Sequence, residues 1–134
     1  MKLHLVLLFF VLTSLINSGC STPSPDQPEL GTVSGIVTLD EQPLPNVLVS
    51  FTPETGPASY ATTGEDGRYE LIYLDNHKGA VIGKHTVTIT TPTDAPTGPE
   101  YKDPIPEKYN SNTTLTVEVS EGDNPYTDFA LSTK

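Results

Sequence analysis

Residues 31–52 read GTVSGIVTLDEQPLPNVLVSFT, and this stretch decides the fold class. Val33, Gly35, Val37 and Leu39 share one side of a two-residue repeat, and so do Val47, Val49 and Phe51. Successive side chains of a strand point to opposite faces, so each set predicts a strand with one buried face. Between them Asp40, Glu41, Gln42 and Pro43 supply the residue types that reverse a chain.

The same pattern continues downstream. Ser59 to Thr63 reads as a short strand. Glu65, Asp66 and Gly67 read as a hairpin turn, Asp-Gly being a strong local signal. Arg68 to Leu74 places Tyr69, Leu71 and Tyr73 together. Val81 to Thr91 is expected to be the longest strand, with His85, Val87 and Ile89 aligned. A loop from Pro92 to Asn112 carries Pro92, Pro96, Pro99, Pro104 and Pro106. Leu115, Val117 and Val119 mark another strand, and Tyr126 to Leu131 closes the series with Phe129 and Leu131 inward. Seven short strands between turns, with no helical period, predict an all-β, seven-stranded antiparallel β-sandwich over residues 31–134. Val49, Phe51, Leu71, Val87, Ile89, Val117 and Phe129 are its expected core.

Upstream the chemistry changes. Residues 1–19, MKLHLVLLFFVLTSLINSG, join one positive charge at Lys2 to a dense apolar run from Leu5. The run is too short to cross a bilayer comfortably, which takes about 20 apolar residues. It suits the central region of a cleaved signal peptide. Ser18, Gly19 and Cys20 then resemble the bacterial lipobox, although Asn17 stands where that motif prefers an apolar residue. The resemblance implies cleavage before Cys20 and acylation of Cys20, palmitate included. It also accounts for a lone cysteine in an oxidising compartment, where an unpaired thiol is a liability. Residues 20–30 are read as the lipidated cysteine and a polar, Pro-rich linker. Ser21 after the cysteine is compatible with sorting to the outer membrane.

GIVTLDEQPLPNVLVSFTP over residues 35–53, followed by TTGEDGRYEL over 62–71, resembles the carboxypeptidase regulatory-like domain. GAVIGKHTVTI at 79–89 and IPEKYN at 105–110 look like the same domain in small planctomycete-type lipoproteins. The resemblance implies a transthyretin-like, or more loosely immunoglobulin-like, sandwich that is generally non-catalytic. It transfers no active-site residue. Pro43, Leu44, Gly67 and Tyr69 carry structural roles in this reading.

Composition narrows the function classes. The net charge is −10, and −11 once Lys2 leaves with the leader. This argues against nucleic acid, which requires clustered Lys and Arg, and against electrostatic adhesion to anionic lipid. Trp is absent, so any aromatic sugar platform would be small and built from Tyr. His77 and His85 lack zinc-ligand spacing, and no nucleophile elbow surrounds a serine. Calcium is the strongest of the weak ligand options, through Asp40 and Glu41, Glu65 and Asp66, or Glu121 and Asp123 in turns. Asn112 begins a glycosylation sequon that carries no meaning in a bacterial lipoprotein.

The expectation is therefore a monomeric, non-enzymatic protein without cofactor or metal. It is anchored in the membrane through lipid on Cys20 and faces the periplasm or cell surface of the envelope. It would serve there as a structural or protein-interaction module, with an unidentified envelope protein or a glycan as partner. The alternative is a carbohydrate- or small-ligand-binding sandwich using Tyr101, Tyr109 and the Pro-rich loop.

Overall fold

A computed structural model describes residues 26–92, 94 and 98–134. The leader, Cys20 and the first part of the linker lie outside the described residues. Ten strand segments follow in chain order: β1 (Leu30–Leu39), β2 (Gln42–Pro43), β3 (Leu48–Pro53), β4 (Ser59–Thr62), β5 (Arg68–Glu70), β6 (Ala80–Val81), β7 (Gly83–Thr90), β8 (Thr116–Val119), β9 (Gly122–Asn124) and β10 (Phe129–Leu131). Short 3-10 turns occupy Leu74–Asn76 and Glu107–Tyr109. The fold is an all-β, two-sheet sandwich, as the two-residue repeat predicts.

One sheet runs β4-β3-β7-β8, antiparallel throughout. Its longest strand, β7, alternates Thr86, Thr88 and Thr90 with Val87 and Ile89. The valine and isoleucine are fully buried, and β-branched side chains on both faces suit the pleat. The second sheet is built around β1, which pairs with five segments. Gly31 meets Ala80 of β6 and Gly122 of β9, while Thr38 meets Pro43 of β2 and Ala130 of β10. A strand residue has only two lateral neighbours, so these pairs define the two edges of β1. One edge holds antiparallel β6, β5 and β2; the other holds β9 and β10 in parallel.

The two sheets close on one core. Val33, Val37, Tyr69, Leu71, Phe129 and Leu131 come from the β1 side; Val49, Phe51, Val87, Ile89 and Val119 come from the other. Phe51 packs edge-on against Phe129 with ring centroids 6.1 Å apart. Fully burying a side chain of this size contributes ~1.5–3 kcal/mol. Of the expected core, Val117 is only partly buried.

Several details depart from the sequence reading. Instead of seven antiparallel strands, the described residues form ten segments, because three short pieces tile one edge of β1 and two tile the other. Both pieces on the second edge run parallel to it. The expected strand from Val81 to Thr91 is broken at Gly83, whose φ of +122° ends one extended run and starts the next. Val81 stays with β1, whereas β7 crosses to the other sheet, and β1 is the longest strand. The turn at residues 64–67 is closed by Gly67 N–H on Gly64 O at 3.0 Å. It links β4 to β5, whose main ladders lie in different sheets. Gly64 N–H on Arg68 O at 2.9 Å and the antiparallel Tyr60–Ile72 bridge keep the predicted hairpin register across it. β9 carries no apolar alternation, and the last strand begins at Phe129 rather than Tyr126.

The Asp40-Glu41 turn is a tight one, with Leu39 paired to Gln42 and positive φ at both central residues (48° and 69°). That geometry matches the right-handed twist of the strands it joins. Pro43 sits in the short β2 at the edge, where its missing N–H costs no ladder bond.

Candidate functional site

Between β9 and β10 the chain leaves the edge of β1 and arches over its middle. Asn124 and Phe129 are paired to Val33 and Val37, and residues 125–128 span the gap. The arch still satisfies the backbone it covers. Thr127 N–H donates to Ser34 O at 3.0 Å, and Asp128 Oδ1 accepts from Ile36 N–H at 2.8 Å. Gly35 lies beneath, where a Cβ would collide with the Thr127 carbonyl. From below, the buried Tyr69 hydroxyl donates to that same carbonyl at 2.5 Å.

Held this way, the arch thrusts Tyr126 outward. Tyr126 is 87% exposed, the largest exposure among the large apolar and aromatic residues described. Its φ is +62°, a left-handed conformation that costs a non-glycine residue ~1–3 kcal/mol. Across β1, Arg68 is the register partner of Ile36. Arg68 is the chain's single arginine, and its Nε contacts Asp66 Oδ2 at 3.1 Å. That contact occupies one edge of the guanidinium. Ser34, Gly35, Ile36, Arg68, Pro125, Tyr126 and Asp128 together line a groove of about 230 Å³. It offers an aromatic plate, a half-buried aliphatic floor, a cationic donor and a carboxylate with one oxygen committed to the backbone.

The residues singled out from sequence lie elsewhere and do not converge. Cys20 is outside the described residues. Tyr109 does not face solvent with its hydroxyl: that oxygen accepts from Ser132 N–H at 2.9 Å, and its ring packs on the core. Lys108 lies 5.1 Å from the centre of the same ring. Tyr101 is 38% exposed, and Ile105 beside it in the loop is buried in the core. The Pro-rich loop thus anchors itself by Ile105 and Tyr109 instead of presenting both tyrosines as a platform.

The acidic turns are occupied locally. Asp40 accepts from Thr133 Oγ1 at 2.7 Å and from Thr133 N–H at 3.1 Å. Those two bonds hold its carboxyl below the usual range, with a smaller contribution from the charge of Lys108. Asp123 accepts from Thr32 Oγ1 at 2.6 Å. Among the described residues no three His, Cys, Asp or Glu side chains converge as a metal site would require. His85 is buried against Phe51, and its Nδ1 lies 3.0 Å from Gly83 O. His77, with Tyr73 and Leu74, lines a separate cleft where Asp26 to Pro28 enter the domain.

Sequence reasoning missed Tyr126 because it treated residues 126–131 as one strand. The available signal was Asn124-Pro125, a pair that favours a turn and argues against a continuous ladder. No family model, no curated protein and no solved structure matches the chain.

Proposed function

We propose that the protein is a lipid-anchored, non-catalytic β-sandwich displayed at the cell envelope, where it acts as a structural or protein-interaction module. The observation that carries this reading is the run from Lys2 to Cys20: a short apolar leader, then Ser18 and Gly19 before the chain's one cysteine. A Pro-rich segment follows, and β1 begins at Leu30, so few residues separate the cysteine from the folded domain. Two or more acyl chains at Cys20 would hold such a domain at the bilayer far more firmly than one. Membership of the carboxypeptidase regulatory-like family, which residues 35–53 and 62–71 resemble, is part of the same proposal and would imply a non-catalytic role. Outer-membrane sorting through Ser21 belongs to the same proposal.

Intact-mass measurement of the native protein tests the anchor. A mature chain beginning at acylated Cys20 is expected, and Cys20→Ala should abolish lipid labelling. An unmodified thiol, or another N-terminus, would reject it. The second reading, a carbohydrate- or small-ligand-binding sandwich, is favoured by the groove beneath Tyr126.

A further inference from the structure

The geometry points to a neutral-saccharide subsite on the outer face of β1, formed by Tyr126, Arg68, Ile36 and Asp128. This deepens the second reading and is independent of the lipid anchor.

A pyranose ring has an apolar face of C–H groups and a rim of hydroxyls, each able to donate and accept. The groove offers counterparts to both. Tyr126 presents an unobstructed ring, and the half-buried Ile36 floor lies below. Arg68 keeps terminal guanidinium nitrogens beyond the Nε contact with Asp66, and they can donate to hydroxyl oxygens. Asp128 Oδ1 is held by Ile36 N–H, so the carboxylate is oriented and Oδ2 remains to accept from a hydroxyl. Donor and acceptor flank the floor because Arg68 comes from β5 on one edge of β1 and Asp128 from the arch on the other.

Other occupants fit less well. At about 230 Å³ the groove is smaller than the ~300–1,000 Å³ pockets of drug-sized ligands, so it takes a single ring. A peptide cannot add here as a strand. β5 fills one edge of β1 at residues 34–36, and Thr127 N–H with the Asp128 carboxylate fills the other. Anionic sugars face a chain of net charge −10 and, at the groove itself, the carboxylates of Asp66 and Asp128 beside Arg68.

The strained backbone supplies a second readout. Tyr126 contributes little burial, yet its φ of +62° suits asparagine or glycine better. Tyr126→Asn should therefore leave the melting temperature unchanged or raise it while removing the sugar platform. Affinity electrophoresis of the full chain through gels containing soluble starch, hydroxyethylcellulose, xylan or laminarin, with alginate as the acidic control, tests the subsite. Retardation in at least one neutral gel is expected. Tyr126→Asn and Arg68→Ala should each weaken it about tenfold, the loss typical of one strong directional contact. The assignment is overturned by no retardation in any neutral gel, by retardation in alginate alone, or by retardation that survives Tyr126→Asn. A large fall in melting temperature for Tyr126→Asn would also overturn it, by giving the tyrosine a structural role.

Discussion

The Tyr69 hydroxyl donates to the Thr127 carbonyl at 2.5 Å, joining the middle of β5's buried face to the arch 58 residues later. One ring thereby fills the core, stacking 6.2 Å from Phe129, and fixes the height of the loop that displays Tyr126. Core packing and the candidate site share this residue.

Tyr69→Phe should keep the packing and lose the bond. Leaving a part-buried carbonyl short of a partner typically costs ~1–3 kcal/mol. Burial, and then the negative charge of Asp128, push the phenol above its usual range. The unfolded phenol ionises near pH ~10. A raised folded pKa means the associated stability is complete below that pH and is lost as pH rises above it. Urea unfolding at neutral pH and at pH ~11 should thus show an alkaline loss in the parent chain that Tyr69→Phe reduces.

Asp40 has the opposite sign. Its carboxyl is lowered by bonds from Thr133, so its contribution is present above the unfolded carboxylate pKa of ~3.9 and fades as pH falls through the lower folded value. Asp40→Asn should flatten the acid end of a stability profile. Melting curves from pH 7 down to pH ~2.5 would show the parent and variant converging as the carboxylate becomes protonated.

Ile105 and Tyr101 divide the Pro-rich loop. Ile105 is 2% exposed, and Ile105→Ala should cost ~2–5 kcal/mol, as a core truncation does. Tyr101→Ala, at a more open position, should change stability by ~0.5 kcal/mol or less. Paired denaturation curves would decide. Equal effects would mean that the loop is not seated by Ile105.

Gly79 tests the tiling of β1. Its φ is +110°, and a Cβ there would run into the carbonyl of Gly31. Gly79→Ala should lose more than ~1 kcal/mol, the usual gain from stiffening the unfolded chain being outweighed by strain. A melting temperature equal to the parent's would contradict this placement of β6 against β1.

Legibility followed the strength of local patterning. Val49, Phe51, Leu71, Val87 and Ile89 are all fully buried, because a two-residue repeat reports burial directly. Sheet membership was harder to read. Ala80 and Val81 continue the apolar run of β7, and only the backbone at Gly83 sends them to the other sheet. Parallel pairing of β9 and β10 with β1 leaves no mark in either partner's own sequence, being a contact between distant segments. The groove was illegible for the same reason. Its floor, its arginine and its tyrosine come from β1, β5 and the arch, and none forms a motif with its chain neighbours. Tyr101 and Tyr109 drew attention by their place in a long loop, yet the Tyr109 hydroxyl is engaged with Ser132.

The pairing of Val37 with Phe129 also governs the order in which a growing polypeptide can settle. β1 is made early, and the segments for one of its edges are among the last described residues to be synthesised. Until they arrive, the central strand has an open row of backbone donors and acceptors, and closing the intervening chain carries an entropy cost before any contact repays it. A nascent chain stopped before Gly122 lacks both parallel partners of β1 and should be less stable for it. Deleting Gly122–Leu131 should therefore destabilise the domain as a whole, and ribosome-bound intermediates should remain protease-sensitive until β10 emerges.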